Sequence, residues 1–263
     1  MLARLVNWLD RRRARRRDRI LAEPFPDAWL DVLARNATFY ARLSESAQRQ
    51  LRDNIQILVA EKQFVGCAGL KITDEIKVTV AANAGVLLLG LPHLDVYPRL
   101  REIIIYPKHL RDTTEAIGPD GRRYQIHHVR AGEAWRRGPV LLAWDSVKHS
   151  IARPHDGYNV ILHEFAHVLD WQTGDADGVP PLESKEQYER WTRVFFDEFD
   201  DFVDADMRGR SIFIDPYGAS HPAEFFAVAT EHFFEQSRQL KRHRPRLFRL
   251  LADFYKQDPT QWR

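Results

Sequence analysis

Apolar residues recur at helical spacing over much of the chain, and the densest run lies at Gly157-Tyr-Asn-Val-Ile-Leu-His-Glu-Phe-Ala-His-Val-Leu-Asp170. That stretch is apolar on most sides and predicts a buried helix. Residues 1–22 predict a short amphipathic, strongly basic helix that ends before Pro24. From Pro26 to about Ala60 two more helical patterns follow, with Ser44 placed to cap the second. Their Trp29, Leu30, Leu33, Phe39, Tyr40 and Leu43 are expected to face the core. Thr73 with Ile76 to Leu91 predicts a long apolar helix, and its Ala81, Ala82, Ala84 and Gly85 allow another helix to approach closely.

Other stretches read as strands. Phe64–Ile72 is broken by glycines and reads as strand or turn, whereas Arg101–Pro107 has the branched residues of a buried strand. Residues 117–133 resemble a hairpin around Gly118-Pro-Asp-Gly121. Gly138–Trp144 is a second apolar strand, followed by the entry to the 157–170 helix. Its position favours a sheet edge along which an extended peptide lies, the alternative being an inner strand. Gly174–Pro181 is a loop whose Asp175, Asp177 and Gly178 match only a fragment of a calcium site, so calcium is discounted. Ser184-Lys-Glu-Gln187 is a capping box for a helix reaching about Asp204, with Asp197, Glu198, Asp200, Asp201 and Asp204 as its solvated face. Helices and a small mixed sheet together make an α+β fold. Residues 1–60 are expected to be a helical segment packed on a domain formed by 61–263.

Composition narrows the possibilities. Of 263 residues, 44% are hydrophobic and 29% charged, ordinary for a globular chain, and a net charge of +2 implies no bulk attraction to nucleic acid. The single cysteine, Cys67, excludes an intramolecular disulfide and any thiolate zinc cluster. The first nine residues lack the charge-first order of a secretory signal, and no run reaches the length of a membrane span, so a cytoplasmic protein is expected. The seven arginines between Arg11 and Arg19 fit either a solvated helix packing Leu5, Trp8 and Leu9 on the body, or contact with an anionic membrane or acidic partner.

The candidate chemistry sits in the densest apolar run. His-Glu-x-x-His places His163 and His167 one turn apart on one helix face, about 40° from each other, with Glu164 about 100° from His163. Two such imidazoles converge on one zinc ion, and the intervening Glu is free to act as a base. The third ligand must come from elsewhere. Asp170 shares the face but reads as an acceptor behind an imidazole or as a helix-end group. Glu224, beside Pro222 in a predicted first turn, is the better candidate; in that position a Glu also complements the helix dipole. Glu231, two turns on, is a rival ligand or a partner behind one. Tyr217 is placed to donate to an oxyanion or to pack as a turn aromatic. The remaining histidines show no ligand spacing, although His221 and His232 flank Glu224.

Several of these stretches carry a family resemblance. The 157–170 run, Asp177-Gly-Val-Pro-Pro-Leu182, and Tyr217-Gly-Ala with Pro222-Ala-Glu-Phe-Phe-Ala-Val look like the Mlc titration factor A peptidase family. Phe64, Gly66-Cys67, Gly69–Glu75 and Gly132-Glu-Ala-Trp135 extend the likeness over roughly residues 55–240. The His-Glu-x-x-His, Tyr and Glu arrangement is also similar to the catalytic domain of anthrax lethal factor. The resemblance implies a zincin-like metallopeptidase core with one zinc on His163, His167 and Glu224, Glu164 as base and Tyr217 as oxyanion donor. It further implies aminopeptidase-type activity on small peptide substrates and association with the glucose-responsive repressor Mlc. The arginine-rich N-terminal helix has no counterpart in that pattern. A second function class remains, a non-catalytic module that sequesters a transcription repressor around a mainly structural zinc.

Overall fold

The computed structural model describes residues 2–91, 94–108, 110–117, 123–130, 132–134 and 138–262, with side chains for 11–91, 94–108 and 138–262. The basic N-terminus is helical as expected (α1, Leu2–Ala22). Arg13 and Arg17 fasten α1 to Glu61 and Asp95, with Arg17 Nη2 2.8 Å from Glu61 Oε2, and Arg16 donates to the Ala60 carbonyl at 3.1 Å. The expected packing of Leu5, Trp8 and Leu9 lies outside the described side chains. Helices α2 (Asp27–Asn36) and α3 (Glu45–Glu61) follow, and the Ser44 hydroxyl caps α3 by accepting from Ala47 N–H. Leu33 and Leu43 are buried as expected. Leu30 is not; it lies on the outer side of α2 while Val32 takes the inward place.

Strand β1 (Gln63–Gly66) leads through a turn into α4 (Asp74–Val86), capped by the Thr73 hydroxyl. A Cβ at Gly85 would stand 3.0 Å from a Leu51 methyl, so α3 and α4 touch where the small residues predict. Helix α4 stops at Val86, short of Leu91. Leu88 and Leu91 close 3-residue turns onto the Gly85 and Leu88 carbonyls, and Gly90 passes against the Tyr255 carbonyl, where any Cβ would collide.

The sheet orders as β1, β2 (Glu102–Tyr106), β6 (Val140–Ala143) and β5 (Gly132–Ala134). Strands β1, β2 and β6 run parallel and β5 antiparallel, so the sheet is mixed. The 138–144 stretch is therefore an inner strand, correcting the edge-strand expectation. Val140 and Leu142 are buried, and β6 pairs with β2 on one side and with β5 on the other, so the edge falls to the three-residue β5. The hairpin pairs β3 (Leu110–Ile117) with β4 (Arg123–Arg130), so it begins earlier than residue 117, and its expected Gly118–Gly121 turn lies outside the described residues.

Trp144 opens α5 (Trp144–Ala152), and the apolar run at the chemical centre forms α6 (Val160–Asp170). Helix α7 (Lys185–Met207) starts at the capping box: Ser184 accepts from Gln187 N–H, and the Gln187 side chain accepts from Glu183 N–H at 2.7 Å. Its acidic face is not wholly solvated. Glu198 is buried and paired with Arg244 at 3.3 Å, because this side of α7 packs against the chain's end. Helices α8 (Pro222–Glu235), α9 (Ser237–His243) and α10 (Pro245–Tyr255) follow. One continuous core runs from Leu33, Leu51 and Ile55 through Val80, Ile103 and Phe165 to Phe226 and Leu251. Among the described residues no helix is long and apolar enough to cross a membrane.

Candidate active site

The site is made where α6 meets α8. Helix α8 carries Phe225 and Phe226 on one side. Phe225 packs on Phe195, Phe199 and Phe202 of α7, with ring centroids 5.2–5.6 Å apart, and Phe226 meets Trp191 edge-on at 5.8 Å. Anchoring that aromatic side turns the stripe of Glu224, Glu231 and Glu235, spaced seven and four residues apart, toward α6. Their partners run in reverse order. Glu224 meets His167 and His163, Glu231 meets His163 and Asn159, and Glu235 meets Asn159, so the two helices lie antiparallel.

Three ligand-type atoms converge. Glu224 Oε2 lies 3.1 Å from His163 Nε2 and 3.3 Å from His167 Nε2, and the two Nε2 atoms are 3.3 Å apart. These are the three atoms, among the described residues, that could hold a metal. A tetrahedral ion with bonds of about 2.0–2.1 Å requires ligand–ligand edges of about 3.3 Å. The triangle already has that size, with both imidazoles presenting the same nitrogen to its centre.

Glu231 is placed behind the triangle. Its Oε1 lies 2.8 Å from His163 Nδ1 and its Oε2 accepts the Asn159 N–H at 2.5 Å, leaving Nε2 of His163 for the shared face. Asn159 also caps α6, its Oδ1 accepting from Ile161 and Leu162 N–H, while its Nδ2 donates to Asn83 Oδ1 and Glu235 Oε1. Asn159 was missed on sequence grounds, although an Asn just before an apolar run is a cap signal. Its contacts with α8 had no such signal.

Burial disfavours protonated His163, but the charge of Glu231 and the hydrogen bonds with Glu224 and Glu231 outweigh it and raise its pKa well above the ordinary value. Burial likewise opposes ionised Glu224, yet the hydrogen bonds from His163 and His167 hold its pKa far below the usual range. For His167 burial prevails and the pKa falls. Glu164 is buried on α6, and its charge is felt at His163, Tyr158 and Tyr217.

Tyr217 stands in a short 3-10 turn, Pro216–Ser220, capped by Asp215. Tyr217 is 57% exposed, and its ring is centred 6.1 Å from the His163 ring. Burial of its inner part, then Glu224 and Glu164, raise the phenol's pKa, so it stays a donor at neutral pH.

Asp170 does not join this group. Its Oδ2 accepts the Gly178 N–H at 2.9 Å, and burial pushes its pKa up to about 7. Its contact is that of a helix-end group on the following loop, whereas the carboxylate behind His163 Nδ1 is Glu231. The Gly178 carbonyl accepts from the Trp191 indole at 2.9 Å, so the loop after α6 is tied to both α6 and α7. His221 caps α8 through Nδ1, and His232 Nδ1 donates to the Val228 carbonyl at 3.0 Å. Neither belongs to the triangle. Trp171, which sequence reasoning passed over, stacks on His167 with a 6.2 Å centroid separation.

The chain has relatives among known proteins. A family profile described as "Glucose-regulated metallo-peptidase M90" matches residues 11–256. An uncharacterised Synechocystis sp. protein, slr2042, is 38% identical over 96% of this chain and 90% of its own. Mlc titration factor A of Klebsiella pneumoniae is 33% identical over 84% of this chain and 83% of its own, and that of Yersinia enterocolitica 30% over 88% and 85%.

Proposed function

Because the chain belongs to the glucose-regulated metallo-peptidase M90 family, we propose that it is a zinc-dependent peptidase acting at the triangle of His163, His167 and Glu224. The observation that carries this reading is the set of 3.1–3.3 Å edges, which suit a tetrahedral ion on two imidazoles and one carboxylate. That donor set with a fourth position left open is the hydrolytic kind, and no thiolate competes for the ion. Zinc, when bound, supplies Lewis acidity and brings the pKa of a water molecule to about 7.

The chain's own groups do the rest. Glu164, a third of a turn from the ligand face, takes the proton of the attacking water on a carboxylate oxygen and passes it to the leaving amine nitrogen. Tyr217 keeps its proton at neutral pH and donates it as a hydrogen bond to the oxygen that becomes negative. With zinc bound, Glu231 would accept the Nδ1 proton of His163 and leave the Nε2 lone pair for the ion. Buried walls around Glu164 and His167 keep bulk water from competing for these groups.

We assign it aminopeptidase-type action on small peptides, in the cytoplasm, with residues 1–60 laid on a 61–263 peptidase domain. The name of the Klebsiella and Yersinia relatives supports a link to the repressor Mlc, or an equivalent, as a protein partner. The test is metal analysis with a peptide-cleavage assay on wild type and Glu164→Gln. One zinc per chain in both, with cleavage lost in the variant by about 10²–10⁴-fold, is expected. A variant as active as wild type refutes it. If the repressor is bound equally by Glu164→Gln, titration of the repressor is independent of cleavage.

A further inference from the structure

Outside the triangle, one hollow is built like a side-chain pocket. It lies between the 97–100 loop, the start of β6 and the last turn of α6, with apolar walls of Leu100, Val140, Val168 and Trp171 and with Arg99 and Gln172 as polar groups in its lining. Its volume is about 40 Å³, roughly that of three water-sized spheres, which suits the three or four carbons of a branched aliphatic side chain.

The pocket adjoins the reacting groups through α6 itself. Viewed down the helix axis, the residues in order round from His163 are His167, Trp171, Glu164 and Val168, in successive steps of about 20–40°. The walls Trp171 and Val168 therefore bracket the direction of Glu164, and Trp171 also stacks on His167. Trp171 thus joins the His167 ring to the hollow.

The pocket is also held in shape. The buried ammonium of Lys62 donates to the Tyr97 carbonyl at 2.7 Å and the Leu100 carbonyl at 3.0 Å, fixing the loop that forms one wall. Arg99 donates to the Trp171 carbonyl at 3.3 Å and joins that wall to the end of α6. Preformed, mostly apolar hollows with few polar groups are the usual form of a recognition pocket.

We propose that this hollow is the specificity pocket of the enzyme, receiving a branched aliphatic side chain of the peptide beside the bond that is cleaved. The inference rests on the peptidase reading. Its test is a peptide library varied at the positions flanking the cut, read by mass spectrometry, with wild type, Val168→Phe and Val168→Ala, each checked for zinc content. Wild type is expected to favour Val, Ile or Leu over Ala at one position by about 10–100-fold. Val168→Phe fills the hollow and should bring that ratio to unity or below, whereas Val168→Ala should shift the preference toward Phe and Met. Variants that cleave with the wild-type ranking overturn the pocket assignment alone, as does a wild-type preference for acidic side chains through Arg99. A wild-type protein that loads zinc and cleaves no peptide overturns the peptidase reading and the pocket with it.

Discussion

Replacing Glu231 by Gln tests how far the site depends on a residue outside the triangle. The carboxylate accepts from two groups at once, Asn159 N–H at 2.5 Å and His163 Nδ1 at 2.8 Å. An amide offers one oxygen and one NH₂. If the oxygen keeps Asn159, the NH₂ faces Nδ1, which can then only accept, and the ring proton moves to Nε2, the atom that lies 3.1 Å from Glu224 Oε2. If the oxygen keeps His163, two donors face each other in a place only 3% exposed, at a cost of about 1–3 kcal/mol. Either outcome makes the Nε2 lone pair harder to supply. Partners of this kind are worth about 10–100-fold in metal affinity, or about 1.4–2.8 kcal/mol. The assay is zinc competition against a chelator of known affinity, with circular dichroism to confirm that the variant is folded. Zinc affinity within twofold of wild type would refute the argument that Glu231 sets the tautomer of His163.

Three other outcomes follow from the same geometry. Tyr217→Phe should lower kcat by about 10²-fold or more with little change in KM, because the phenol acts on charge that develops during reaction; an equal loss through KM would show a binding role instead. Asp170, with an ordinary pKa of 3.8 raised to about 7 in the folded protein, holds its proton more tightly folded than unfolded. Its contribution to stability is full below about pH 4 and is lost as pH rises to about 7, by at most about 4 kcal/mol. Asp170→Asn should flatten urea-derived stability over that window, and an unchanged slope would contradict the assignment. In Gly178→Ala the new Cβ would stand 2.6 Å from Phe195 Cε1 and 2.8 Å from the Pro222 carbonyl, at φ +81°. A loss of about 2–4 kcal/mol is expected in chemical denaturation, and a loss under about 1 kcal/mol would mean that the loop yields freely.

What could be read from the sequence was local. The caps at Ser44 and Ser184 lie where the spacing predicts, because a cap depends on residues within one turn of each other. The same holds for His163 and His167, whose common face follows from helix geometry alone. The small residues of α4 mark its contact with α3, since only they permit backbones to come so close.

Elsewhere the sequence left choices that long-range packing made. The 138–144 strand has one apolar pattern whether it lies at an edge or inside; pairing with β2 and β5 decided that it lies inside. Helix α4 had apolar residues to Leu91, and the passage of Gly90 against Tyr255 ended it earlier. Glu198 looked solvated until α7 was seen against Arg244. Around the triangle, Glu224 and Glu231 share a face of α8, and the sequence ranked Glu224 ahead of Glu231 without separating their reach. The docking of α8 on the aromatic side of α7 sets their heights along α6, so that Glu224 reaches both Nε2 atoms and Glu231 only the Nδ1 of His163. Sequence determines which groups a helix presents on one face. The distance between two such faces is a property of the packed core, and that distance decides which carboxylate completes the site.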